Sequence, residues 1–226
     1  MILGALYDAA DRGVHVRILV DGMESWIDME GNPYFYGLSS HENVEIKLYN
    51  KANPLKPWKT MGRMHDKYLI ADGKIYILGG RNTYNYFLGD FPGHKNFDRD
   101  VLVVCDEPQK DNSVNQLLDY FETIWKQEDC RYFHNSKKLA DRQSVKKAVL
   151  ELQKGYQQYF EVNKEKICDT DYADETFETE KITLLSNPIH TGAKEPVVWY
   201  QLGELMKNAK ERVKIHTPYI ICNDMM

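Results

Sequence analysis

The chain has 226 residues, of which 42% are hydrophobic and 28% charged; that is enough apolar material for a sizeable core and argues against general disorder. No apolar run approaches the roughly 18 residues of a membrane-crossing helix, and the 29 Lys and Arg against 34 Asp and Glu leave a net charge of -5. That acidic balance weighs against an affinity built on nucleic-acid phosphates, which calls for a basic face. Cys105, Cys130, Cys168 and Cys222 lie far apart with no C-x-x-C spacing, so neither a zinc site nor a disulfide framework is indicated.

In chain order, Ile2, Leu3, Leu6, Ala9 and Ala10 recur at helical spacing, and Gly13 supplies a left-handed stop. Residues 14–20 (VHVRILV) read as a strand closed by Asp21-Gly22. A helix-to-strand opening, in place of a signal-peptide pattern, leads us to expect further sequence upstream. Residues 44–49 (VEIKLY) alternate as a half-buried strand does, and the Pro-, Gly- and Lys-rich stretch 51–62 reads as a loop. Residues 64–71 and 74–78 are two strands joined by Asp72-Gly73, a dipeptide suited to a tight hairpin because it tolerates positive φ at both central positions.

Residues 100–105 (DVLVVC) make a further strand. Ser113 to Trp125 is a helix with Val114, Leu117, Leu118, Phe121 and Trp125 on one side, and its Ser113-x-x-Gln116 opening matches a capping box. A polar helical stretch covers 137–160, an acidic linker or insertion 161–180, a helix Pro196 to Ala209 and an alternating strand 212–217. The organisation is α/β. We expect a first lobe over 1–160, an acidic connection over 161–180 and the beginning of a second lobe over 181–226, with the fold truncated at both ends.

The chemistry concentrates between Met64 and Asn82. Period-two alternation puts His65 and Lys67 on the same side of their strand, roughly 7 Å apart, with Asp72 of opposite parity at the turn. The return strand brings Gly79-Gly80 back to their level, where bare backbone lets a ligand approach closely, and Asn82 adds an amide donor. An imidazole, an ammonium, a carboxamide and backbone N–H groups form an inventory for holding and attacking a phosphate. A metal site is a poorer reading, because a His-x-Lys pair sets a cation where a second ligand should stand.

The spacing His65-x-Lys67-x4-Asp72-x6-Gly79-Gly80-x-Asn82 resembles the HKD motif of the phospholipase D superfamily, with six positions in register over eighteen residues. The flanks are similar too: residues 9–22 before the motif, Asn96-Phe97-Asp98-Arg99-Asp100-Val101 after it, and Lys214-Ile215-His216-Thr217-Pro218-Tyr219 like the start of the family's second half. The look is closest to bacterial phospholipase D and cardiolipin synthase-like proteins.

The resemblance implies an αβα lobe with a mixed central sheet, two such lobes sharing one active site, a phosphohistidine intermediate, and neither metal nor organic cofactor. By the same resemblance His65 is nucleophile or general acid, Lys67 and Asn82 grip the phosphoryl group beside Gly79 and Gly80, and Asp100 orients the motif histidine; Asp72 counts with His65, Lys67 and Asp100 in the motif's catalytic set, while its parity suits it to structural work at the turn. Gly80 stands where the family often has Ser.

These 226 residues hold no second His-x-Lys. The second motif is therefore expected from a continuation of the chain, or less favourably from a homodimer partner, and the isolated stretch is expected to be nearly inactive. The expected substrate is a phospholipid head group or another phosphodiester. The expected location is cytoplasmic or peripheral at a membrane surface. A nuclease is the runner-up, weakened by the net charge but kept open by the basic run Lys47, Lys51, Lys56, Lys59, Arg63 and Lys67, which reads equally as a solvated loop or an anion contact. A non-catalytic module keeping the fold is the remaining alternative. Tyr34, Phe35, Tyr36, Tyr84, Tyr86, Phe87 and Phe91 are expected in loops near the catalytic edge, as core, substrate wall or interfacial anchors.

Overall fold

A computed structural model describes residues 1–51, 53, 55–83, 85–88, 93, 98–105, 111–134, 136–190 and 192–217. It divides into two compact units, Met1–Leu184 and Leu185–Met226. The expected α/β organisation is observed, with the strands shared between two three-stranded sheets.

In the first unit, α1 (Ile2–Asp11) leads into β1 (Val16–Asp21), and Gly13 takes φ +89° at the stop. Two helices follow, α2 (Gly22–Asp28) and α3 (Pro33–Ser39), before β2 (Val44–Tyr49) pairs parallel to β1 with Val16 opposite Val44. A three-residue strand, which we number β6 (Cys130–Tyr132), closes this sheet antiparallel to β2. Val16, Val44, Ile46 and Leu48 are buried on one face with Ala10, Leu38, Phe133 and Val145. Over that face lie α1, α3 and the long α7 (Gln143–Lys164), which follows the single turn α6 (Lys137–Ala140).

The second sheet is a meander of β3 (Tyr68–Ala71), β4 (Ile75–Gly79) and β5 (Asp100–Val104), with the single-turn α4 (Asn85–Leu88) between β4 and β5. The β3–β4 turn forms as its sequence requires. Asp72 and Gly73 take φ 52° and 65°, and Lys74 N–H donates to Ala71 O at 3.0 Å. Gly73→Ala should cost about 1 kcal/mol through left-handed strain, because the nearest atom to the added Cβ, on Leu118, is at an ordinary 3.6 Å; a urea melt measures it.

Helix α5 (Ser113–Trp125) serves both sheets. Its Val114, Leu117, Leu118 and Tyr120 pack with Tyr68, Ile70, Tyr76, Leu78 and Val103 of the second sheet. Its far end presents Phe121 and Trp125 to the first sheet, where the Arg17 guanidinium lies over both rings and Lys47 over Trp125. Arg17 also pairs with Glu122. The opposite face of the second sheet leaves Leu69, Ile75 and Ile77 exposed.

Several expectations are revised. The N-cap of α5 is Asn112, which accepts from Asn115 N–H at 2.8 Å; Gln116 instead accepts from Leu184 N–H, so there is no Ser113–Gln116 box. Tyr34, Phe35 and Tyr36 belong to α3, capped by Asn32 with Pro33 in its first turn, and Tyr36 is core. Phe87 lies in α4, while Tyr84 and Phe91 fall outside the described residues. The helical run at 137–160 continues to Lys164 and a π turn over Glu165–Asp169. In the second unit α8 spans Val197–Asn208 as expected, but residues 212–217 form no strand, because no ladder partner stands beside them among the described residues.

Candidate functional site

The motif begins ahead of β3, not inside it. Residues 62–67 carry no ladder of their own, and the strand starts at Tyr68 instead of at the expected residue 64. The reason is competition for backbone groups. Met64 N–H is taken by the Asp21 carboxylate at 2.9 Å, and only Lys67 O continues the ladder, accepting from Gly79 N–H at 3.2 Å.

Asp21 is the organising residue here. It ends β1, N-caps α2 by accepting from Met23 N–H at 3.0 Å, and receives Arg63 Nε at 2.9 Å and Arg63 Nη2 at 2.7 Å. One nearly buried carboxylate therefore joins the rim of the first sheet to the segment that carries the motif. Burial alone would raise its pKa; the bonds from Arg63, Met64 and Met23 outweigh that and hold it below the ordinary carboxyl value. Arg63 reaches on to Glu24 of α2 at 3.2 Å.

A second anchor sits on the other side. Tyr120 of α5 donates its hydroxyl to Asp66 at 2.7 Å, and burial together with Asp66 raises the tyrosine pKa. Asp66, Tyr68 and Ile70 thus face α5, and within β3 period-two alternation gives Leu69 the opposite side. His65 is exposed and Lys67 half-buried, with Lys67 Nζ donating to His65 O at 2.7 Å. Burial lowers the Lys67 pKa, opposed by Asp66 and Asp98.

The register brings Gly79 opposite both Lys67 and Asp100, so the two glycines do return to the level of the His-x-Lys pair. The room they leave is used differently from the expectation. A Cβ on Gly79 would stand 1.8 Å from Asp100 Oδ1, and one on Gly80 would stand 2.9 Å from Asp98 Oδ2. The close approach is made by the protein's own carboxylates, because β5 is hydrogen-bonded directly alongside.

Asp100 is held by Arg81, whose Nε donates to Oδ2 at 2.7 Å while its other nitrogens reach Phe87 O and Asp98 O. Asn82 lies half-buried two residues beyond Gly80, and Asp72 stays at the far turn. Gly79→Ala should displace the Asp100–Arg81 pair and cost about 1–3 kcal/mol, visible as a lowered urea midpoint.

Sequence reading missed Asp21, Arg81 and Tyr120. The only local signal for Asp21 was a carboxylate closing a strand before Gly22, a residue whose Cβ would collide at 2.6 Å with the Lys51 backbone. Among the described residues no three His, Cys, Asp or Glu side chains gather as metal ligands would.

Residues 1–125 match the family model for the cardiolipin synthase, PLD-like domain, and the chain belongs to the phospholipase D-like family. Two uncharacterized proteins of Helicobacter pylori, strains J99 and 26695, are each 31% identical over 149 residues, covering 60% of this chain. Cardiolipin synthase C of Escherichia coli K12 is 29% identical over 139 residues, covering 55% of this chain. The alignments take in 26% of each of these relatives, so the chain spans about a quarter of their length. No solved structure matches.

Proposed function

We propose that the chain supplies one half of a phospholipase D-type site: a metal-independent phosphodiesterase or phosphatidyltransferase that acts on phospholipids through a phosphohistidine. The observation that carries this is the clamped motif loop. Asp21 and Tyr120 hold it from two sides, the second through Asp66, with His65 exposed in that loop and Lys67 O receiving the N–H of the returning Gly79.

In the proposed reaction, an imidazole nitrogen attacks phosphorus and the P–O bond to the leaving alcohol breaks. That alcohol takes its proton from the second histidine. Water or another alcohol then loses its proton to that second histidine and attacks, releasing the first. His65 fills one of these two roles. Lys67 and Asn82 neutralise and grip the phosphoryl oxygens, with the backbone at Gly79 and Gly80 alongside. Asp100, held by Arg81, serves in this reading as the carboxylate that orients the histidine.

The second histidine must come from outside these 226 residues, from a further segment of a longer protein or, less favourably, from a second copy. Within that reading, 1–160 is the first lobe, 161–180 the acidic connection and 181–226 the beginning of the second lobe.

Full-length protein in EDTA should convert phosphatidylglycerol to phosphatidic acid, or to cardiolipin when a lipid alcohol is the acceptor. DNA binding should give a shallow log–log salt slope. Cleavage of DNA with the lipid untouched would overturn the lipid assignment in favour of the nuclease.

A further inference from the structure

We infer that the rim beside the motif loop docks on an anionic phospholipid bilayer. This deepens the reading of the site as acting on phospholipid. Two short segments make the rim, α2 and residues 55–62 with the preceding Lys51, the second segment containing a 3-10 turn at Pro57–Met61. They are neighbours through the backbone: Gly22 at the start of α2 packs against Lys51, and Asn50 Nδ2 donates to Lys59 O at 2.6 Å and Gly62 O at 2.7 Å. Both lead into the motif loop, because Asp21 caps α2 and bonds Met64, while Arg63 pairs with Glu24.

On this rim four large apolar side chains stand in solvent. Trp26 is 65% exposed, Ile27 64%, Leu55 85% and Trp58 70%. Two exposed tryptophans and two exposed aliphatics on segments that meet at Gly22 and Lys51 suit the headgroup–acyl boundary, where an amphipathic indole is stable.

Charge complementarity selects the kind of bilayer. The rim carries Lys51, Lys56 and Lys59 against Glu24 and Asp28 of α2, a small cationic excess in a chain whose net charge is -5, and the adjoining motif loop adds Arg63 and Lys67 against Asp66. Lys47 and Lys59 are engaged with Trp125 and Asp129, while Lys51, which interacts electrostatically with Glu30, and Lys56, which lies between Leu55 and Trp58 in the chain, are exposed. Exposed lysines flanking exposed tryptophans attract a negatively charged surface and then insert. Docking here brings the lipid plane to the His65 loop, so a head group is delivered without leaving the bilayer.

The test uses the 226-residue chain and sucrose-loaded vesicles of phosphatidylglycerol or of phosphatidylcholine. Co-sedimentation is expected with phosphatidylglycerol only. Lys51→Glu with Lys56→Glu should weaken it by about tenfold or more. Trp26→Ser with Trp58→Ser should abolish it, with circular dichroism unchanged because both positions are exposed. Brominated lipid should quench the wild-type tryptophan emission, and Trp26→Phe with Trp58→Phe should remove that quenching.

Vesicle binding that survives both double variants overturns the proposal. So does a wild-type chain that ignores phosphatidylglycerol vesicles, or one that self-associates through Trp58 in their place. His65→Ala should bind vesicles as wild type does. Turnover of a soluble short-chain phosphodiester by full-length protein that fails to bind vesicles would remove the docking surface and leave the proposed chemistry standing.

Discussion

Replacing His65 with Ala in the full-length protein should lower lipid product formation by at least about 10³-fold, whichever of its two roles His65 plays. As nucleophile, its loss removes the covalent route. As general acid, its loss leaves the departing alkoxide without a proton. The fold should be untouched, because His65 is exposed and precedes the first residue of β3. The measurement is chromatographic separation of lipid products, with the urea midpoint as control. Turnover retained within a few-fold of wild type would dismiss a catalytic part for His65 and favour a module that keeps the fold without the reaction.

Asp21→Ala should be the most damaging change to stability in the motif region, about 2–4 kcal/mol. It strips the cap of α2, leaves Met64 N–H without its acceptor, and releases Arg63 from a carboxylate that is only 7% exposed. The upper end of the range is discounted because Arg63 itself is partly solvent-exposed. Amide exchange at Met64 should accelerate beyond the global change, since that bond pins the loop.

The pH dependence follows from the sign of the shift. The folded-state pKa of Asp21 lies below its unfolded value, near 3.9. Its contribution is therefore present above that unfolded value and is lost as pH falls through the folded pKa. Asp21→Asn keeps the shape without the charge, so the stability gap between wild type and Asp21→Asn should be full at pH 7 and narrow in strong acid. A gap that does not change with pH would separate the clamp from the carboxylate's charge.

What the sequence made legible was local. Asp72-Gly73 dictated its own turn, and the apolar period of 113–125 dictated α5, because both depend on residues a few positions apart. The His-x-Lys register with Gly79 followed from that turn alone. The clamp was not legible, because Asp21 meets Met64 across 43 positions and no local pattern encodes that distance.

The same holds for the glycines. Their need for space was readable, but which group fills it depended on β5 pairing alongside. Strand β6 has three residues, too few for a periodic signal. Residues 212–217 carry the alternation of a strand, yet alternation states only a preference, and the ladder requires a partner.

The proposed chemistry requires the side chains of His65, Lys67 and Asn82 to reach a common tetrahedral anion at the end of the β3–β4 hairpin. A crystal structure of the full-length protein grown with tungstate tests it directly. The oxyanion is expected within hydrogen-bonding distance of the His65 imidazole, Lys67 Nζ and the Asn82 amide. Tungstate bound elsewhere, with those three groups pointing apart, would contradict it.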